Sequence, residues 1–190
     1  ETKSPELIYK NLKIPIQNTK VYLNFISLIK SKSKVDKISI SSEEINIDKI
    51  KKIILKTKPS NLNSLITNRV KNGKLVINLE IYFKDNLEIA NFIARGEVKE
   101  LEGVITNSLR LKNTSFNFFA DPSDILIKNI SSKMEGLLIN KGNLQIKNDK
   151  KIIIKSDFNT DIKINKKNII NYSPLLKQIN FLNDEIEFDA

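Results

Sequence analysis

KLVINLEIYFK, residues Lys74 to Lys84, alternates almost without fault: Leu75, Ile77, Leu79, Ile81 and Phe83 occupy the odd positions, and Lys74, Asn78, Glu80, Tyr82 and Lys84 the even ones. Only Val76 breaks the pattern. A period of two sends the odd set to one face of an extended strand and the even set to the other. This is a long strand with one dry and one wet face. A short polar link leads into Glu88 to Val98, where Ala90, Phe92, Ala94, Gly96 and Val98 share one face and Ile89, Asn91, Ile93 and Arg95 the other.

The rest of the chain varies that design. Before it, Leu12, Ile14 and Ile16 alternate around Pro15, which lacks an amide donor and so suits an edge or a short leading strand. Asn18 and Thr19 read as a turn into Val21 to Ile26, Ser31 to Asp36 as a charged loop, and Ile38 with Ile40 and Ile45 with Ile47 as short strands joined by Ser41 to Glu44. The period then lengthens. Asp48 is placed to cap a helix carrying Ile50, Ile53 and Ile54, which Pro59 would stop. Ser60 or Asn61 caps a second helix with Leu62, Leu65, Ile66 and Val70, closed by Asn72-Gly73.

After residue 84 the sequence is strand and turn. Leu101 to Thr106, Leu109 to Lys112, Thr114 to Phe119, Ile125 to Ile130 and Gly136 to Ile139 read as strands, with Asp121-Pro122-Ser123-Asp124 a strong turn. Asn140-Lys141-Gly142 reads as a reversal into Leu144 and Ile146, and Asn148-Asp149-Lys150 as another into Ile152 and Ile154; Ile162 and Ile164 end the series. Short strands at about ten-residue spacing indicate an antiparallel meander. Ser173-Pro174 opens a helix with Leu175, Leu176, Ile179 and Leu182, and Glu185 to Phe188 is a last strand-like scrap. The expected organisation is strands over 1–47, short helices over 48–73, the main meander over 74–165 and a helix over 173–183.

Composition bounds the function. The chain has 190 residues, 40 % of them hydrophobic, and begins Glu1-Thr2-Lys3-Ser4-Pro5, which reads as an internal segment of a longer protein. No run approaches the roughly 18 apolar residues of a membrane span. The 32 basic and 22 acidic residues give +10, but the lysines are spread over every segment, as expected of a solvated sheet face and blunted edges; no nucleic-acid partner is expected.

With no His and no Cys there is no imidazole or thiolate nucleophile or metal site, and no catalytic residue, metal or cofactor is expected. Glu43-Glu44, Asp121 with Asp124, and Asp184-Glu185 fall in turns, where solvation explains them. Asn72-Gly73-Lys74 and Lys141-Gly142-Asn143 lack the glycine spacing of a phosphate loop. Phe116, Phe118 and Phe119 lie near Arg110 and Lys112, an arrangement also found where bases stack, but Phe116 and Phe118 alternate as sheet core does.

What remains is one apolar face on a long sheet. A second sheet would cover it in a sandwich, whereas a sheet curled into an open groove would leave it for a ligand. A helical pair, then NGKLVINLEI (72–81), FIARGEVKELEGVI (92–105) and the cadence from Leu109 to Phe158, with Gly96, Gly136 and Gly142 embedded, resembles the AsmA-like proteins. Within them the large YhdP-type members are the nearer match, with TamB-type proteins as a related alternative. The resemblance runs from Lys37 to Ile164 and rests on cadence, with no catalytic signature.

It implies a mainly β fold, a long antiparallel meander curled into an open groove with a short helical insertion and a C-terminal helix. It also implies attachment to the inner membrane of a Gram-negative envelope through an anchor outside this segment, a periplasmic location, and passage of phospholipid between inner and outer membrane in support of the outer-membrane barrier. The acyl chains would lie on Leu75, Ile77, Leu79, Ile81, Phe83, Phe92, Val98, Phe116, Phe118, Leu144, Ile146, Ile152 and Ile154. The alternative is a scaffold that binds a protein client by strand addition.

Overall fold

In the computed structural model the described residues are 2–3, 5–29, 34–106, 109–148 and 151–162. They form one open, eleven-stranded antiparallel sheet, not closed into a barrel. Its strands are β1 (Thr2–Lys3), β2 (Glu6–Tyr9), β3 (Leu12–Leu23), β4 (Val35–Ser42), β5 (Ile45–Asn46), β6 (Val70–Phe83), β7 (Ile89–Val104), β8 (Arg110–Ala120), β9 (Asp124–Met134), β10 (Leu137–Asn148) and β11 (Ile152–Ile162). The order is β1-β3-β4-β6-β7-β8-β9-β10-β11, with β2 on β3 and β5 on β6. The helices are α1 (Phe25–Ile29), α2 (Ile47–Ile54) and α3 (Asn61–Arg69).

The expected meander is therefore present, but with fewer and longer strands. Leu101 to Val104 continues β7, Leu111 and Lys112 join Thr114 to Phe119 in β8, and Asn140-Lys141-Gly142 lies inside β10 rather than reversing the chain. Likewise Asn18 and Thr19 lie within β3, and Asn72-Gly73 within β6. The physical reason is the bulge. One extra residue in a strand breaks the alternation as a turn would, yet the chain carries straight on. Register shifts occur at Val98/Leu101, Lys112/Ser115, Ser115/Asn117 and Ile139/Gly142, and Glu100, Asn113 and Asn129 there take positive φ of 52°, 45° and 55°.

These bulges line up. Leu101 pairs with Thr114, Ser115 with Ser131, and Ile130 with Gly142, so the irregularities of β7, β8, β9 and β10 sit side by side. Each bulge bends and twists its own strand, and a row of them bends the sheet along a common line.

The helical segment also differs in detail. Residue 47 begins α2 rather than ending a strand, Asn46 stands at its N-cap without a side-chain bond, and Asp48 lies in the first turn instead of capping it. There its carboxylate still complements the positive helix end. The helix ends at Ile54, ahead of Pro59, with the Thr57 hydroxyl donating to the Ile54 carbonyl at 2.7 Å. Ser60 caps α3 as expected, accepting from the Asn63 amide at 3.1 Å. Phe25 and Ile26 belong to α1, not to a strand, because the Asn24 side chain accepts from the Ser27 amide at 3.0 Å and starts a helical turn. Ile164, the helix expected over 173–183 and the scrap at Glu185 to Phe188 lie outside the described residues.

Two glycines are filled by rings from the next strand. A Cβ at Gly96 would meet Phe118 Cζ at 2.9 Å and the Val76 carbonyl oxygen more closely still; at Gly142 it would meet Phe158 Cε1 at 2.6 Å. The registers agree, with Gly96 opposite Phe118 and Gly142 opposite Phe158. An aromatic side chain lying over a cross-strand glycine restores the packing that the missing Cβ forfeits. Gly96→Ala should therefore destabilise the protein by about 1–3 kcal/mol, the usual range for overpacking. Gly142→Ala should cost less, because the Phe158 ring can swing away whereas a backbone carbonyl cannot. Urea midpoints of the two variants check this order, and equal or reversed costs would contradict it.

Candidate apolar binding face

Directly opposed residues of antiparallel strands share a face, so the pairing registers connect the strands into rows. One row runs Thr19, Ile40, Leu79, Ala94, Ala120, Ile125, Ile146, Ile154, from β3 to β11. The next runs Ile77, Gly96, Phe118, Ile127, Leu144, Ser156, and a third joins Ile45, Leu75, Val98 and Phe116. Val21, Ile38, Ile81 and Phe92 make a fourth. These rows form one apolar surface across the sheet.

Of the residues expected to line the face, Leu75, Ile77, Leu79, Ile81, Phe92, Val98, Phe116, Phe118, Leu144, Ile146 and Ile154 all fall in these rows. Ile152 stands opposite Asn148 at the rim. Phe83 does not join a through-row, because the register slips between Tyr82 and Phe83 and sets it opposite Ile89. The face also holds Val21, Ile38, Ile40, Ala94, Ile125, Ile127, Ile130 and Phe158, which the sequence reading left out. Their alternation is visible in the sequence, but parity within one strand says nothing about another strand until the register is known. Phe158 shares the even parity of Ile152 and Ile154, and that signal would have found it.

None of the expected lining residues is buried; Phe92 is 36 % exposed and Ile154 62 %. Strands contact their neighbours in the sheet, and α2 and α3 contact each other, β5 and β6; among the described residues no second sheet lies over the face. The described strands thus form a single layer and not a sandwich. The face is tightest beside the bulges, where Thr114 Oγ1 and Ser132 Oγ, 3 % and 1 % exposed, satisfy each other at 2.6 Å.

The opposite face is mixed, with charged and polar residues set among Ile93, Phe119, Leu126 and Ile153. Lys37 lies over the Tyr22 ring at 4.4 Å and the Tyr82 ring at 5.6 Å, in a cross-strand row of these three residues. The Tyr82 hydroxyl donates to Glu80 Oε2 at 2.7 Å, which with Lys37 and Arg95 nearby holds the Glu80 carboxyl below its usual range. Phe119, adjacent to Phe118, lies on this face opposite Arg95.

Two of the carboxylates considered for chemistry have a structural role. Glu44 lies 3.6 Å from Lys74, and Asp121 organises the β8–β9 turn. Asp184-Glu185 is outside the described residues. Among the described residues no group of three metal-ligating side chains occurs, and no helix is long and apolar enough to cross a membrane. A polar cavity of about 240 Å³ between Glu6, Lys13, Glu43 and Lys49 lies at the β2–β3 end, away from the long rows.

No family model, curated protein or solved structure matches this chain.

Asp121 gives this sheet a dependence on pH. Its Oδ1 accepts from the Asp124 amide, the Ser123 hydroxyl and the Ser123 amide, each at 2.8 Å, and these donors, the Asp124 amide foremost, lower its pKa from the usual 3.8. The charged form is favoured in the folded state, so its contribution is present above pH 3.8 and lost as the pH falls below it. Asp121→Ala should melt at a lower temperature near neutrality, and the gap to the parent should close on acidification through that range. A gap that stays constant with pH would contradict the role.

Proposed function

We propose that this chain is a segment of an AsmA-like periplasmic protein whose apolar sheet face carries phospholipid acyl chains between the inner and outer membranes. The observation that supports it is the continuity of the apolar surface from β3 to β11, on which the expected lining residues are half-buried or exposed and none is buried. A contiguous apolar surface of this kind calls for a partner. A saturated chain suits it because the rows are built mostly from Ile, Leu, Val, Phe and Ala and carry no charged side chain.

The energetics are sufficient without specific recognition. Each methylene removed from water contributes about 0.8 kcal/mol, so burying roughly ten of them matches the roughly 8 kcal/mol of a micromolar complex. Binding spread so thinly over many similar side chains leaves no deep minimum, which suits passage along the face rather than storage. Head groups would remain at the wet margins. In this reading the protein performs no covalent chemistry, and the inner-membrane anchor belongs to other parts of the same protein.

The scaffold alternative draws on a different feature, the edge strand β11, and would leave the face itself without a ligand. The two separate in one experiment. The chain is expressed in a bacterial periplasm, purified without detergent, and its bound lipids are measured by mass spectrometry. Phospholipid in stoichiometric amounts is expected from the parent. Leu79→Asp and Ile81→Asp, each placing a charge in the central rows, should lose at least about tenfold of it while circular dichroism still reports a β-sheet. A folded parent free of lipid, or folded variants that retain it, would overturn the proposal.

A further inference from the structure

The two edges of the sheet are finished differently. On one side β3 is covered piecemeal by β1, two residues long, and β2, four residues long, which breaks up the edge. On the other side β11 runs eleven residues from Ile152 to Ile162 and, among the described residues, pairs only with β10. It carries Ile152, Ile153, Ile154 and Phe158 at 69, 48, 62 and 44 % exposure. A long edge with unpaired amides and carbonyls and large apolar side chains is a template for another strand.

The sequence of β11 says which strand fits. Set antiparallel against a second copy of itself, with Ser156 opposite Ser156, Lys155 faces Asp157 and Lys151 faces Asp161, and each pair occurs twice by symmetry. On the other face Ile154 meets Phe158, and Ile152 meets Thr160. Every charged side chain from 151 to 161 thus finds the opposite sign; Ile154 and Phe158 pack on each other, and Ile153 lies opposite Asn159. Shifting the two-fold axis by one residue, to Asp157, sets two carboxylates against each other and loses the match.

Among the described residues these charges have no such task. The cross-strand partners of Lys155 and Asp157 on β10 are the neutral Gln145 and Asn143, and Lys151, Lys155 and Asp157 make no ion pair among the described residues. Asp161 accepts one hydrogen bond, from Asn140 Nδ2 at 2.8 Å.

We propose that β11 is an interface between two copies of this chain, paired antiparallel about a two-fold axis through Ser156. A self-complementary strand is what an isologous interface requires. The pairing would extend the sheet, and the row through Ile146 and Ile154 would run on into the second copy through its Phe158. This inference does not rest on lipid binding.

The test is a charge swap in the full chain. Sedimentation velocity over about 1 to about 100 µM, the range of modest specific contacts, should show a reversible dimer. Lys155→Glu and Asp157→Lys singly each create two like-charge contacts per dimer and should weaken association at least about tenfold. The double substitution Lys155→Glu/Asp157→Lys restores opposite signs and should recover the dimer. Because Gln145 and Asn143 are neutral, all three variants should keep the parent's circular dichroism. A parent that stays monomeric throughout, including one whose edge is taken by another part of its own chain, would overturn the proposal. So would single variants that associate like the parent, or a double variant that fails to recover.

Discussion

Cross-strand register is the constraint on which the rest of this structure depends. With a side-chain period of two, a slip of one residue between neighbouring strands would throw every Ile and Leu of one strand onto the polar side. Through the middle of β3 to β11 the faces stay matched and the apolar rows run on, and where the register does slip, at Tyr82/Phe83, the residue beyond it leaves the rows. The registers are pinned by ring-over-glycine contacts at Gly96 and Gly142 and by turns such as that held by Asp121. The bulges do not spoil the pattern because they fall next to one another. Each shifts phase where its neighbour does, so the faces stay matched on both sides of the line.

An open single layer sets a different balance from a compact domain. Among the described residues the buried hydrophobic side chains are few, namely Ile16, Ile45, Ile47, Ala94 and Leu109. Stability must therefore come from the ladders, from half-burial of long side chains against their cross-strand neighbours, and from whatever lies on the apolar face. A ligand there would stabilise the fold by mass action as well as being carried. Binding and folding would then be coupled through the same side chains.

Much of this was legible in the sequence. The alternation at Lys74 to Lys84 fixed β6 and its faces, and that at Phe92 to Val98 gave the facing set of β7. The Asp121 turn and the Ser60 cap carry local chemistry that short sequences encode. What was not legible was long-range. Asn113, Asn129 and Asn140-Lys141-Gly142 look like turn residues, and they do adopt turn-like backbone or break the register, but inside strands that continue. Whether the chain reverses there is decided by the neighbouring strand, which no local pattern contains. The same holds for Ile38, Ile125 and Phe158, whose parity was plain and whose face was not. For α2 the local signal at Asp48 was real but two positions displaced, since the cap is Asn46 and the first helical residue is Ile47.

The central claim, that one face of this sheet holds acyl chains and the other does not, can be tested at adjacent residues. Phe118 and Phe119 lie on opposite faces, and the chain contains no Trp. Phe118→Trp, Phe92→Trp and Phe119→Trp, made singly, each give one fluorophore, to be titrated with phospholipid carrying a doxyl quencher on its acyl chain. Quenching at Phe118→Trp and Phe92→Trp, with Phe119→Trp left bright, is the expected result. Equal quenching on both faces, or none on either, would contradict it.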